Sequence, residues 1–153
     1  MIKVLFICHG NICRSPMAEF ILKDMVKKER LEWQFEIASA ATSSEELGNP
    51  VYPPAKRELA AHGLSCKGKV ARRMTKADYD EWDHLVCMDR WNMRNMLRIT
   101  GGDPEGKMRL LMEWAGLDEE VDDPWYTGDF AGVYRQIERG CRAMLDALRP
   151  GRG

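Results

Sequence analysis

Ile2-Lys3-Val4-Leu5-Phe6-Ile7-Cys8-His9-Gly10-Asn11-Ile12-Cys13-Arg14-Ser15-Pro16 is the stretch that decides how this chain is read. Ile2 to Ile7 is a short apolar, β-branched run, the pattern of a buried strand. A polar loop over residues 9 to 14 follows it. Ser15-Pro16 then reads as a helix N-cap with a first-turn proline. Behind it Met17, Ala18, Ile21, Leu22, Met25 and Val26 repeat at helical spacing.

The same alternation continues outward. Trp33, Phe35 and Ile37 alternate with Gln34, Glu36 and Ala38, predicting a second strand. Residues 42 to 54 are rich in structure breakers. A helix is predicted from Pro54 to His62, stopping at Gly63. Residues 65 to 73 are basic and irregular, and a short helix can start after Thr75. His84 to Met88 is a third strand, and Trp91 to Ile99 a helix ending at Gly101-Gly102. Met108 to Met112 is a fourth strand candidate, or the opening of a helix through Trp114. Residues 116 to 130 read as an acidic loop. Val133, Tyr134, Ile137, Cys141, Met144, Leu145 and Leu148 mark a final amphipathic helix. Strands alternating with helices predict one doubly wound α/β domain with a parallel sheet, spanning residues 1–153. Ligands of such domains bind beyond the carboxyl ends of the strands, where Cys8 falls.

Composition narrows the class of partner. The chain has 153 residues, 44% of them apolar, enough for one core without disulfides or metals. Lysine and arginine number 23 against 24 acidic residues, a net charge of -1. That balance argues against nucleic acid or an anionic membrane as the main partner. The five cysteines, Cys8, Cys13, Cys66, Cys87 and Cys141, match no zinc or disulfide spacing and point to a reducing, cytoplasmic setting. The apolar N-terminal run is too short for a signal peptide or a membrane span.

The loop from Cys8 to Ser15 carries chemistry. A cysteine and an arginine flank five residues between a strand and a helix. Successive backbone N–H groups in such a loop can curl into an anion-binding nest, and a helix start adds its positive dipole end. Gly10 allows a sharp turn, and Asn11 tolerates left-handed geometry. Arg14 offers a planar fork for two phosphate oxygens. His9, Gly10, Asn11, Ile12, Cys13, Arg14 and Ser15 together make a site for a tetrahedral dianion. A cysteine in this positive field is favoured as the thiolate, the nucleophilic form. The nucleophile and the cradle are then one structure.

Cys8-His9-Gly10-Asn11-Ile12-Cys13-Arg14-Ser15 resembles the phosphate-binding loop of the low-molecular-weight protein tyrosine phosphatases. The likeness extends through Cys87-Met88-Asp89 and Asp123-Pro124-Trp125-Tyr126 and covers nearly the whole chain. It implies a four-stranded, flavodoxin-like parallel sheet and hydrolysis of phosphotyrosine without metal or cofactor, through a phosphocysteine. It assigns Ser15 a hydrogen bond to the Cys8 sulfur. It gives Asn11 the task of holding the loop's shape, helped by Asp89 and Arg72.

A thiolate displaces a phenol only if the departing oxygen is stabilised, and a general acid contributes about 10²–10⁴ in rate. Asp123 is the candidate, because Pro124 restricts it to extended geometry; the resemblance selects the same residue. Asp122 is the adjacent alternative. An acid that must carry a proton predicts an acidic optimum. Asp118, Glu119 and Glu120 read as a solvated loop.

Trp125 and Tyr126 can stack on a phenyl ring or pack in the core. Ile12 is expected on the cradle floor. In the related arginine phosphatases that position resembles threonine, so isoleucine favours phosphotyrosine. Glu45 falls where some family members carry an aromatic wall, and with Asp118 to Asp122 it suggests an acidic rim suited to basic sequences. Lys69 stands where many members have a histidine, and His9 where they have an apolar or small residue. Cys13 is either a packed thiol or a disulfide partner of Cys8 under oxidation. The expected partners are phosphotyrosine proteins, a tyrosine kinase being one candidate, with the chain a monomer or weak dimer. Three rival readings remain at this level. One is an arsenate reductase, which needs resolving thiols. The others are a non-catalytic phosphotyrosine-binding module and a thiol-redox switch.

Overall fold

The computed structural model describes residues 1–149. Four strands, β1 (Ile2–Cys8), β2 (Phe35–Ala41), β3 (His84–Cys87) and β4 (Met108–Leu110), form one sheet in the order β2-β1-β3-β4. Every pairing is parallel, with Cys8 opposite Ala41 and Ile7 opposite Cys87. The helices are α1 (Arg14–Lys28), α2 (Pro53–Ala61), α3 (Asp78–Glu81), α4 (Arg90–Thr100), α5 (Pro124–Thr127) and α6 (Phe130–Leu148).

The unbroken apolar run of β1 follows from its central place. Val4, Phe6 and Cys8 face a core built with Met17 and Leu22 of α1 and Ile137 and Met144 of α6. Leu5 and Ile7 face the opposite core, with Leu85, Cys87 and Met96 of α4. Side chains of a strand alternate between faces, so a strand covered on both sides has no polar face to show.

The element boundaries differ in places from the sequence expectation. α1 starts at Arg14, with Cys13 at its N-cap and no side-chain cap, so Ser15 is not the cap. Its hydroxyl is committed elsewhere, as shown below. Trp33 lies in a 3-10 turn, Glu32–Gln34, and is 70% exposed, so the strand begins only at Phe35. The Met108 to Met112 run divides: the strand ends at Leu110, and Leu111–Ala115 is a 3-10 helix. The acidic loop also holds α5, begun by Pro124 with the Asp123 carboxylate as its N-cap.

α6 meets the Leu111–Ala115 turn at Gly140. A β-carbon there would lie 2.5 Å from Leu111 Cγ, too close for any real contact. Alanine in a helix interior is ordinarily about 1 kcal/mol better than glycine. Here overpacking should outweigh that gain. We expect Gly140→Ala to destabilise the fold by about 1–3 kcal/mol in denaturant titration. Unchanged or raised stability would show that Leu111 has room to move.

Candidate active site

The carboxyl edge of the sheet brings four segments to one place. They are the loop after β1, the 43–48 loop after β2, Asp89 at the head of α4, and residues 121–126. The loop after β1 has its carbonyls committed outward. The Cys8, His9, Ile12 and Cys13 oxygens accept from the amides of Thr42 (3.0 Å), Ser43 (3.1 Å), Tyr52 (2.9 Å) and Met17 (3.1 Å). A loop so held can turn its own N–H groups inward, the arrangement of an anion nest.

The left-handed turn in this loop is made by Asn11, at φ 59°, and not by Gly10. Gly10 serves close approach instead. A β-carbon there would sit 3.3 Å from Glu46 Cγ on the facing loop.

Asn11 can hold its unusual backbone because every arm of its side chain is used. Its Nδ2 donates to Ser15 Oγ at 2.8 Å and to Ser39 Oγ at 2.9 Å. Its Oδ1 accepts from the Arg72 amide at 3.2 Å. Ser15 Oγ, already an acceptor from Asn11, lies 2.9 Å from Cys8 Sγ, and the Ser15 amide donates to the same sulfur at 3.4 Å. The serine proton is thus free to point at sulfur. On the far side Ser39 Oγ donates to buried Glu19 at 2.5 Å. Lys69 Nζ donates to the Ser39 carbonyl at 2.9 Å and lies 3.6 Å from Glu19. Burial pushes the Lys69 ammonium below its usual range, an effect Glu19 partly offsets.

Arg14 is 4% exposed and joins three segments. Its guanidinium donates to the Val121 carbonyl at 2.9 Å, pairs with Asp89 at 2.8 Å and lies 3.7 Å from Asp123. Burial alone would lower the Arg14 pKa, but Cys8, Asp89 and Asp123 outweigh it and hold it above the ordinary value. Asp89 spends its other oxygen capping α4, accepting from the Asn92 amide at 2.7 Å. It therefore supports Arg14 and not Asn11. Arg72 reaches Asn11 only through its backbone; its side chain pairs with Asp78 at 3.1 Å.

These residues enclose a cavity of about 360 Å³ lined by Cys8, His9, Gly10, Ile12, Cys13, Arg14, Glu45, Glu46, Asp123, Trp125 and Tyr126. Asn11, Ser15, Arg72 and Asp89 stand behind it. Trp125 and Tyr126 are rim residues at 55% and 86% exposure, and Trp125 leans on Tyr52 with ring centroids 4.8 Å apart. Opposite them His9 pairs with Glu45 at 3.0 Å. Burial first, then Cys8 and Asp123, pushes the Cys13 thiol up to about 12.

The acidic stretch is exposed, as its composition implied, yet it has a partner. Asp118 and Glu120 are both held by Arg90, at the head of α4. They do not add to an acidic rim; Glu45 and Glu46 do. The pairing hides in sequence because the cation lies 28 residues from Asp118. Ser39, Glu19 and Tyr52 also escaped sequence reasoning. The one signal available was a glutamate, Glu19, inside the apolar spacing of α1.

The site is one in which a buried guanidinium and the Ser15 amide and hydroxyl surround a cysteine at the end of a parallel strand. The sequence model described as "Low molecular weight phosphotyrosine protein phosphatase" matches residues 3–152. The chain is 34% identical over 151 residues to the low molecular weight protein-tyrosine-phosphatase YfkJ of Bacillus subtilis, covering 97% of each. It is 38% identical over 149 residues to the low molecular weight phosphotyrosine protein phosphatase of Gallus gallus, covering 94% of each. The crystal structure of YfkJ superposes with a TM-score of 0.95 over 100% of this chain and 98% of that one, at 34% identity. A Drosophila arginine phosphatase superposes at 0.87 over 99% of this chain and 100% of that one, at 31% identity. The chain belongs to the low-molecular-weight phosphotyrosine protein phosphatase family. It is a protein-tyrosine phosphatase, a hydrolase.

Proposed function

We propose that this chain, as one domain, hydrolyses phosphotyrosine in proteins with Cys8 as nucleophile, Arg14 as phosphate clamp and Asp123 as proton donor. The observation that carries the reading is Arg14. It is buried against Cys8 and touches both Asp89 and the loop that presents Asp123. Cys8 Sγ attacks phosphorus in line. The S–P bond forms as the bond from phosphorus to the tyrosine oxygen breaks. The equatorial oxygens rest on the Arg14 fork and the loop amides. Asp123 gives its proton to the leaving oxygen. Water then attacks the phosphocysteine, passing a proton to the Asp123 carboxylate and releasing phosphate and the Cys8 thiolate. Asn11, Ser15 and Asp89 hold the reacting groups in register, while the Arg72 amide steadies Asn11.

A relay of resolving thiols, as arsenate reduction would need, has little support. Cys66 and Cys87 do not line the cavity, and the Cys87 thiol is buried against the Asp89 and Arg109 carbonyls. The near-neutral net charge supports a chain acting on proteins and not on nucleic acid or membrane, and the unpaired cysteines favour the cytoplasm. We take it to be a monomer or weak dimer, with a tyrosine kinase as one candidate substrate.

Ile12, on the cavity wall at 9% exposure, favours an aryl group over a guanidinium. Phosphate release from phosphotyrosyl, phosphoseryl and phosphoarginyl peptides, with chelator present, tests the substrate class. We expect the phosphotyrosyl peptide to be favoured by at least about 100-fold, on the order of two differences of a hydrogen bond or apolar contact. Faster release from the phosphoarginyl peptide would reassign the substrate.

A further inference from the structure

The loop carrying Asp123 is held from outside the cavity in a way the reaction described so far does not use. Its outer part is tied to Arg90 through Asp118 and Glu120. Next, the Val121 amide donates to the Met88 carbonyl at 2.8 Å, and its carbonyl accepts from Arg14 at 2.9 Å. Then comes Asp122, which closes a two-bond ring with Gln136 of α6. The Asp122 amide donates to Gln136 Oε1 at 3.0 Å, and Gln136 Nε2 donates to Asp122 Oδ2 at 3.1 Å. The next residue is Asp123, whose Oδ1 caps the Trp125 amide at 3.0 Å.

Successive residues of an extended segment point to different sides. Val121 is buried inward, Asp122 is fixed to α6, and Asp123 is left for the cavity. α6 is itself anchored, with Val133, Tyr134 and Ile137 buried on either side of Gln136. The ring uses both polar atoms of a carboxamide, which does not titrate, so its hold on the loop is independent of the proton that Asp123 moves.

We propose that Gln136 is a positioning residue for the proton donor: by gripping both the amide and the carboxylate of Asp122, it sets where the Asp123 carboxyl meets the leaving oxygen. The inference rests on the reading of Asp123 as that donor. Both bonds are exposed, so they add little to stability. Their loss should be read in geometry, where a displacement near 1 Å can cost up to about 100-fold.

The test is kcat/KM on two aryl phosphates, p-nitrophenyl phosphate and phenyl phosphate. Nitrophenolate leaves readily without a proton, whereas phenolate is about as basic as tyrosinate, near pKa 10, and needs one. Wild type, Gln136→Met, Asp122→Asn and Asp123→Asn are compared, with thermal melting as a folding control. For Gln136→Met we expect a loss of about tenfold on phenyl phosphate and under about threefold on p-nitrophenyl phosphate. Asp123→Asn should show the same pattern at about 10²–10⁴ on phenyl phosphate. Asp122→Asn keeps an acceptor for Gln136 Nε2 and should follow the wild-type pattern. Equal losses on both substrates for Gln136→Met, or no loss, would overturn the proposal. So would a loss in Asp122→Asn as large as in Asp123→Asn. Should Gln136→Met fail to fold, Asp122→Ala removes the side-chain half of the ring and is read by the same criterion. If Asp123→Asn itself treats the two substrates alike, the proton-donor reading is what fails.

Discussion

Cys8→Ser should lower metal-free hydrolysis of p-nitrophenyl phosphate by at least about 10⁴-fold while leaving phosphate binding in place. The two side chains differ in one atom, so the fold should accept the change. Cys8 is 3% exposed, and a serine oxygen can still meet Ser15 Oγ. What is lost is the sulfur, and a serine hydroxyl with no base beside it is a far weaker nucleophile. The histidines are engaged elsewhere and none bonds Cys8 as its base: His9 is turned to Glu45, His62 stacks on Tyr134 and His84 packs on Trp114. The loop amides and Arg14 are untouched, so the variant should still bind vanadate or inorganic phosphate in calorimetry. Residual turnover above about one hundredth of wild type would mean that another group attacks phosphorus, and the nucleophile would need reassignment.

The second large effect is expected at Arg14. Arg14→Lys keeps the charge and removes the fork. One guanidinium now meets the Val121 carbonyl, the Asp89 carboxylate and the neighbourhood of Asp123 together. An ammonium on a shorter arm cannot hold those partners and two phosphate oxygens as well. We expect kcat/KM to fall by about 10³-fold, the scale of losing a preorganised oxyanion donor. Phosphate inhibition should weaken in the same variant. Asp89 would be left with its α4 cap alone, so a modest fall in melting temperature should accompany the kinetic loss. A variant within about tenfold of wild type would show that charge alone suffices and that the loop amides do the orienting.

The parts of this design that are contiguous in sequence were legible there. The strand from Ile2 and the loop from Cys8 to Arg14 declare themselves within a dozen or so residues. Asp123-Pro124 stands out for the same reason: proline fixes what precedes it. The supports were not legible, because each is a long-range choice among similar side chains. Nothing near Ser39 says that its hydroxyl will sit between Asn11 and Glu19, 28 and 20 residues away. Nothing near Gln136 points to Asp122. Ser15 shows a local rule being overridden. Serine before proline is a sound helix-start signal, yet this hydroxyl is drawn to Asn11 and Cys8, and the helix begins two residues earlier, at Arg14, without a side-chain cap. Asp118 and Glu120 face solvent as composition implied, and what was hidden is the arginine, Arg90, that they share.

The strand that carries Cys8 is made before its two sheet neighbours, β2 and β3, and lies between them. A ribosome-bound chain therefore presents Cys8 with both neighbours of that strand still unsynthesised. β2 is complete at Ala41, β3 at Cys87, and the carbonyl that Arg14 holds belongs to Val121. Until then the reactive thiol has a cradle in sequence but no partner for its arginine in space. Activity should consequently switch on late and all at once during synthesis, because domains of this kind close as units. A chain released before residue 121 would carry Cys8 and Arg14 without the carbonyl that holds the guanidinium.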